Sequence, residues 1–214
     1  MTPPSSPLPL HFASACAESP NAATALREAF TRAREQLAGH STSFALVFMS
    51  APRLFEQRTE LNAAVEWVCD EIGHEALIGC SASGVIGGRR ELEETPGCTV
   101  LLGSLRGAEV EAYHWTEAAR RTWTNGWPEG EARAPRALRS EPLLMLADPF
   151  TFDIVRFLRS LDSEAPALRA IGGLASGAPA PGLNLLIRGR LVTNHGCVAL
   201  QLRGPFLFES VVSQ

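Results

Sequence analysis

The feature that most constrains this fold is a turn of small residues that occurs twice, each time after an apolar segment. The first copy is Ile78-Gly-Cys-Ser-Ala-Ser-Gly84 and the second is Ile171-Gly-Gly-Leu-Ala-Ser-Gly177. In both halves an apolar run that ends near a proline and an amphipathic helix precede the turn, and further apolar segments follow it. Because these features recur in the same order, the sequence predicts an internal duplication.

Each half is predicted to contain a strand, a helix, a second strand, the glycine turn and two further strands. The run from Ser43 to Met49 is unbroken and apolar, which is typical of a strand covered on both faces. The next helix ends at Gly73, and the helix of the second half is predicted to have Thr151 as its N-cap. This pattern predicts an α/β fold of mixed sheets with the helices outside. We favour two sheets packed face to face in four layers, α-β-β-α, over one sheet joined edge to edge.

Composition also predicts the domain boundaries. Residues 1–10 are predicted to be a flexible tail because proline and serine dominate them. Residues 11–214 are predicted to form a single domain, with halves at about 11–115 and 142–214. The segment between the halves, 116–141, is rich in Arg, Pro, Gly and Glu and is predicted to be a linker.

Composition argues against several classes of function. The basic residues are all arginine and are scattered along a chain of net charge -4, so no basic stripe is present to bind nucleic acid. No segment approaches the roughly 20 apolar residues that span a bilayer, and the N-terminus lacks the features of a signal peptide. We therefore expect a cytoplasmic protein without a membrane partner, whose five cysteines are reduced and buried. Because no metal-site or nucleotide-loop spacing occurs, we predict neither a metal nor a cofactor.

The glycine turns are candidate ligand-binding segments. They are predicted to lie at the carboxyl ends of strands, where open α/β sheets bind ligands, and their small side chains let a ligand approach backbone N–H groups. Asp148 ends a strand of the second half, and Asn184 lies close to a glycine after the second turn. The alternative for each is structural, as tight turns or as a helix cap. The candidate ligand-binding residues are Cys80, Ser81, Ser83, Gly84, Asp148, Ser176, Gly177 and Asn184.

A hydrolase that uses Ser81 or Cys80 as its nucleophile is a less favoured hypothesis. The segment Gly79-Cys-Ser-Ala-Ser83 resembles a Gly-x-Ser-x-Gly nucleophile elbow, but it lacks the last glycine and the helix that should follow. No histidine has the sequence context of a general base. A cysteine nucleophile would need a neighbour that lowers its pKa. We therefore predict that the chain is not an enzyme.

Five segments, taken together and in order, resemble one known family. They are Leu46-Val-Phe-Met-Ser50, Leu77-Ile-Gly-Cys-Ser-Ala-Ser-Gly-Val-Ile-Gly-Gly88, Glu93-Glu94, Leu146-Ala-Asp-Pro-Phe150 and Ile171-Gly-Gly-Leu-Ala-Ser-Gly177. With these segments, the chain from about His11 to the C-terminus resembles the N-terminal domain of the FIST family, which comprises intracellular signal-transduction proteins.

The resemblance implies a sensory domain that binds small molecules, with amino acids as proposed ligands. It also implies partners, namely a C-terminal FIST domain or a signalling output protein. Our leading hypothesis is therefore cytoplasmic sensing of a small ligand such as an amino acid or small carboxylate. The alternative is a protein-interaction or scaffold domain, since Pro205-Phe-Leu-Phe208 and Val211-Val212 offer an apolar surface. An apolar edge of this kind is also compatible with a homodimer.

Overall fold

A computed structural model describes residues 10–50, 53–116 and 142–209 of the 214-residue chain. The described residues contain three α-helices, which are α1 (Ala22–Gln36), α2 (Arg58–Ile72) and α3 (Ile154–Glu164). A short 3-10 helix, Leu54–Gln57, leads into α2. The strands are β1 (Leu10–Glu18), β2 (Phe44–Ser50), β3 (Leu77–Ser81), β4 (Gly84–Gly87), β5 (Arg90–Glu93), β6 (Gly97–Leu105), β7 (Glu109–Trp115), β8 (Leu143–Ala147), β9 (Ala170–Leu174), β10 (Leu186–Arg188), β11 (Leu191–Thr193) and β12 (Cys197–Arg203).

The strands form two main sheets and a separate hairpin. The larger sheet has the order β1-β6-β2-β3-β10-β11, in which β2 and β3 are parallel and the other neighbours are antiparallel. The smaller sheet has the order β7-β12-β8-β9, in which β8 and β9 are parallel. The hairpin consists of β4 and β5. The predicted α/β class, with mixed sheets flanked by helices, is confirmed.

Four strands of the larger sheet correspond one to one with the smaller sheet. The order β1-β6-β2-β3 matches β7-β12-β8-β9 in position, in relative direction and in order along the chain. In this correspondence β7 is the counterpart of β1, and it pairs with β12 of the smaller sheet. The sequence-based division places residues 109–115 in the first half, and that division stays a prediction. The duplication itself stays a prediction.

Side-chain alternation explains the unbroken apolar runs. In β2, Ala45 packs in a cluster with α1 and α2, whereas its neighbour Phe44 packs in a cluster with strands of the smaller sheet. In β12, Val198 belongs to the cluster shared by the two sheets, and Ala199 packs with side chains of α3. Because successive side chains of a strand point to opposite faces, a strand with two buried faces needs apolar residues at nearly every position.

The hydrophobic clusters show how the sheets meet. One cluster joins α1 and α2 to the larger sheet, a second contains side chains of both sheets, and a third joins the smaller sheet to α3. The two main sheets therefore share a core and are not one continuous sheet, so the edge-to-edge alternative is wrong. The four-layer order stays a prediction.

Two local features differ from the sequence-based prediction. Thr151 does not cap α3, because the side chain of Asp153 accepts from the N–H of Arg156, while the Thr151 hydroxyl donates to Asp148. The segment between the first turn and β6 contains the β4–β5 hairpin in addition to glycine turns. Residues 1–9 of the predicted tail and 117–141 of the predicted linker lie outside the described residues.

Candidate functional site

The two glycine turns line one cleft beside the carboxyl ends of β2, β3 and β9. The cleft has a volume of about 530 Å³. Ser83 of the first turn and Ser176 and Gly177 of the second line it, and the 3-10 helix before α2 contributes Leu54 and Phe55. Ligands of α/β sheets bind at this end of the strands, and the volume suits a small molecule.

Direct hydrogen bonds hold the two turns together. The N–H of Ser83 donates to Oγ of Ser176 over 3.1 Å, and the N–H of Ser176 donates to the carbonyl of Ser81 over 3.0 Å. Gly177 has φ +87°, and a Cβ atom there would lie 2.8 Å from the carbonyl oxygen of Ala82. Glycine is therefore required at this position by its backbone conformation and by the closeness of the other turn.

Charged side chains of opposite sign line the same cleft. Arg53 and Glu56 come from the segment that leads into α2, and Glu94 comes from the turn that follows β5. Arg53 and Glu56 form an exposed ion pair of 3.6 Å, which contributes little to stability. Arg53 and Glu94 both have a left-handed backbone, with φ of 53°. Such conformations cost about 1–3 kcal/mol and are concentrated at functional sites.

A buried polar network lies behind the cleft wall. The Ser81 hydroxyl donates to Oδ1 of Asn184 over 3.0 Å and accepts from the N–H of Leu185 over 3.2 Å. Nδ2 of Asn184 donates to Oδ1 of Asp148 over 2.9 Å, and the Thr151 hydroxyl donates to the other carboxylate oxygen over 2.5 Å. Asp148 is 0% exposed and Asn184 is 1% exposed. The network joins the ends of β3 and β8, which belong to different sheets.

The structure therefore separates the predicted ligand-binding residues into two groups. The first group lines the cleft and consists of Ser81, Ser83, Ser176 and Gly177. The second group does not line it and consists of Cys80, Gly84, Asp148 and Asn184. Asn184 hydrogen-bonds to Ser81, which lines the cleft, and Asp148 in turn hydrogen-bonds to Asn184. Cys80 packs in the core between the sheets.

Comparison with known proteins identifies the family of this fold. The model of the FIST N domain matches residues 43–214, which include both glycine turns and the buried network. The chain belongs to the FIST family. The resemblance to this family that the sequence indicated is therefore confirmed. FIST domains are a sensory family in signal transduction.

Two mycobacterial proteins illustrate the relatives of this FIST domain. The chain is 34% identical over 196 residues to the uncharacterized protein Rv0628c of Mycobacterium tuberculosis, covering 92% of the chain and 48% of that protein. It is 30% identical over 186 residues to the uncharacterized protein Mb0898c of Mycobacterium bovis, covering 87% of the chain and 46% of that protein. The chain thus spans about half the length of these relatives.

The geometry of the FIST domain argues against the proposed nucleophiles. The Ser81 hydroxyl donates to the side-chain amide oxygen of Asn184 and accepts from a backbone N–H, so no base among the described residues takes its proton. Burial raises the pKa of the Cys80 thiol to about 12, and a thiol in this state is a poor nucleophile. FIST is not an enzyme family, and neither residue gives this member the geometry of a hydrolase.

Sequence reasoning missed the charged part of the cleft. Arg53 directly follows Pro52 in the sequence, and Glu94 is the first residue after β5, in the pair Glu93-Glu94. Arg53 belongs to no recognisable motif, and Glu94 is marked only by the family resemblance. Both line the cleft because their segments converge beside the glycine turns. Both residues have a left-handed backbone in the structure. Arg and Glu rarely adopt this conformation, so their presence in a sequence does not indicate it.

Two further observations concern the described residues. None of their helices is long and apolar enough to cross a membrane. They contain no group of three or more His, Cys, Asp or Glu side chains arranged to hold a metal ion.

Proposed function

We propose that this FIST domain binds a small polar ligand in the cleft between its glycine turns, as a cytoplasmic sensory domain of a signal-transduction protein. The observation that carries the proposal is the convergence of both turns on one cleft of about 530 Å³. Two separate motifs with exposed serines supply polar groups to the same space, at the strand ends where such sheets bind ligands.

The charges of the cleft favour a ligand that carries both an acidic and an amino group. A guanidinium at Arg53 binds a carboxylate well, and the carboxylate of Glu94 binds an ammonium group. The hydroxyls of Ser83 and Ser176 add neutral donors and acceptors, and Phe55 adds an apolar contact. An amino acid has this combination of groups, and a small carboxylate has part of it.

The position of the cleft also gives ligand binding a structural consequence. Ser83 follows a strand of the larger sheet, and Ser176 follows a strand of the smaller sheet. A ligand that contacts both turns would stabilise one relative position of the sheets, which is how a ligand biases a two-state element. A C-terminal FIST domain or a signalling output protein in contact with either sheet would then sense the bound state.

A thermal-shift series with amino acids and small carboxylates tests this proposal. A ligand at 100 times its dissociation constant should stabilise the fold by about 2.7 kcal/mol. Arg53→Gln and Glu94→Gln should each reduce the stabilisation, whereas Arg89→Gln, an exposed arginine that does not line the cleft, should leave it unchanged. A stabilising ligand with the same affinity for all four proteins would place the site elsewhere. No stabilisation by any compound of the series would remove the support for amino acids and small carboxylates as ligands.

The second candidate is the protein-interaction domain. It is favoured by Leu207, which is 81% exposed, although the neighbouring Phe206 packs against the core between the sheets. Val211 and Val212, which also belong to this predicted surface, lie outside the described residues. The Leu207→Ser variant should retain its stability and lose affinity for a protein partner if Leu207 docks it, which a binding titration would measure.

A further inference from the structure

Strand β9 ends the smaller sheet, and no described strand pairs with its outer side. Its counterpart in the larger sheet, β3, has a neighbour on each side, because β10 pairs antiparallel with it. Among the described residues no strand occupies the same position next to β9. An unpaired strand edge presents backbone N–H and C=O groups that can bind another strand.

The chemistry of β9 differs from that of the other sheet edges. β1 contains Glu18 and β7 contains Glu109 and Glu111, and charges of this kind oppose pairing with another strand. β11 has three residues and directly follows Arg190. By contrast, β9 contains neither a charged residue nor a proline. A charged residue or a proline would protect an edge strand from pairing.

Exposure of apolar side chains adds to this difference. Ile171 is 37% exposed and Leu174 is 51% exposed. Two glycines lie between them, and they keep the strand slim enough for close approach of another backbone. Strand β9 is therefore the sheet edge best suited to pair with a further strand.

Hydrogen bonds to β8 determine which backbone groups of β9 point outward. Just before β9, the carbonyl of Arg169 accepts from the N–H of Leu143, and just after β9, the N–H of Ala175 donates to the carbonyl of Ala147. The backbone groups of the odd-numbered residues therefore face β8. In a parallel pair the residues that bond to one neighbour alternate with those that face away. The N–H and C=O groups of Ala170, Gly172 and Leu174 consequently face the open edge.

We propose that β9 pairs with β9 of a second copy of this chain, antiparallel, about a twofold axis at Gly172. The axis lies on an outward-facing residue, so Gly172 pairs with itself and Ala170 pairs with Leu174 of the partner. Every outward-facing N–H and C=O of the strand then has an acceptor or a donor. An antiparallel pair with opposed outward residues has this hydrogen-bond pattern.

The side chains of β9 are self-complementary in this register. The small Ala170 lies opposite the large Leu174, and Ile171 lies opposite Gly173, so each large side chain meets a small one. No like charges are opposed, because the strand has none. The pairing is isologous and closes as a dimer instead of growing into a fibre, and it joins the two smaller sheets into one continuous sheet. This inference rests on the sheet edge and is independent of ligand binding in the cleft.

Sedimentation of the intact chain over a range of concentrations tests the dimer, with two variants that act by different means. Gly173→Lys adds a charged side chain at a position where a Cβ has no atom within 4 Å in the single chain. In the dimer this side chain would meet Ile171 of the second copy. Leu174→Pro removes an outward N–H that β8 does not use. Each variant should raise the dimer dissociation constant about tenfold or more, the equivalent of one lost backbone pair. Leu191→Lys, on the exposed face of β11, is the matched control and should leave the constant unchanged.

Disulfide cross-linking tests the register. The double variant Ala170→Cys/Leu174→Cys should form an interchain disulfide on mild oxidation, because opposed residues of a bonded antiparallel pair have Cα atoms about 5.5 Å apart. Each single variant should remain uncrosslinked, because its cysteine lies far from the same cysteine of the second copy across the twofold axis. The native cysteines of the described residues are buried and do not interfere.

Three outcomes would overturn the proposal. The first is a chain that stays monomeric at every concentration, the second is a dimer unaffected by both β9 variants, and the third is cross-linking of a single variant but not of the double one. The second outcome would place the self-association elsewhere. The first would leave β9 to pair with a strand of a different protein.

Discussion

The two glycine turns share a backbone arrangement and differ in their surroundings. The N–H of Ala82 donates to the carbonyl of Met49 over 2.7 Å, and the corresponding N–H of Ala175 donates to the carbonyl of Ala147 over 2.8 Å. Every residue of β3, before the first turn, is buried, whereas four of the five residues of β9, before the second turn, are exposed. The reason is that β3 lies between two strands, whereas β9 has one neighbour among the described strands.

This difference assigns different tasks to equivalent residues. Ser81 corresponds to Leu174, and it is held in the buried network, while Leu174 is exposed at the sheet edge. Ser83 and Ser176 are both exposed and both line the cleft. The buried network thus anchors the first turn at Ser81, and the second turn hydrogen-bonds to the first through Ser176.

The largest effect is expected for removal of the carboxylate that anchors the first turn. Asp148→Ala leaves Nδ2 of the buried Asn184 and the hydroxyl of the half-buried Thr151 without their acceptor, and a buried donor left unpaired costs about 1–3 kcal/mol. We expect the free energy of unfolding, measured in urea, to fall by about 3 kcal/mol. Asp153→Ala is the matched control. It removes an exposed N-cap and should cost about 1 kcal/mol. Equal losses for the two variants would show that the network does not anchor the turn.

The next effect concerns the contact between the turns. Gly177→Ala forces a side chain into a left-handed conformation and places its Cβ 2.8 Å from the carbonyl oxygen of Ala82, so we expect a loss of about 2 kcal/mol. Gly39→Ala is the control, because Gly39 also has a left-handed backbone, with φ +84°, while a Cβ there has no atom within 4 Å. Thermal unfolding of both variants measures the difference. A stable Gly177→Ala protein would mean that the second turn is not held against the first.

A smaller effect should distinguish the two serines of the first turn. Ser81→Ala removes a hydroxyl that bonds to Asn184 and Leu185 in the buried network, and a loss of about 1.5 kcal/mol is expected. Ser83→Ala alters an exposed side chain and should change the free energy of unfolding by less than about 0.5 kcal/mol. Ligand affinity is expected to reverse the order, since the Ser83 hydroxyl is exposed at the cleft. The reverse order in stability would contradict the assignment of Ser81 to the structural network.

Much of this fold could be predicted from the sequence because its signals are local. The unbroken apolar run from Ser43 to Met49 predicted a strand buried on both faces, and the structure has β2 at Phe44–Ser50. Gly73 predicted the end of α2, where the structure has a glycine with φ 78°. Both signals depend on a few consecutive residues and on elementary backbone chemistry. Thr151 was misjudged because a buried carboxylate three residues earlier binds its hydroxyl, and a cap motif in the sequence does not reveal that competition.

The candidate site could be predicted in part. The recurrence of Ala-Ser-Gly indicated a shared site, and the structure brings the two copies into contact. The candidate residues divide into those that line the cleft and those that lie behind it. This division depends on which strand edges are covered, which is a property of the assembled sheets. Arg53 and Glu94 were missed as site residues for the same reason, because tertiary structure and not sequence spacing brings both of them to the cleft.

The smallest effect is a pH dependence that reports how completely β3 is enclosed. Burial raises the pKa of the Cys80 thiol from 9.0 to about 12, whereas the equivalent residue of β9 is Gly173. An unfolded chain ionises this thiol near pH 9, and the folded chain retains the proton to about pH 12. The stability due to the protonated thiol is therefore fully present below pH 9 and is lost as the pH rises toward 12. At pH 10 the loss from this one thiol should be about 1.4 kcal/mol. Urea unfolding of the chain and of Cys80→Ala at pH 7.5, 9 and 10, chosen to bracket the pKa of a free thiol, measures the difference in slope. Parallel slopes for the two proteins would mean that solvent reaches β3 as it reaches β9, and the contrast between the two turns would then not extend to their strands.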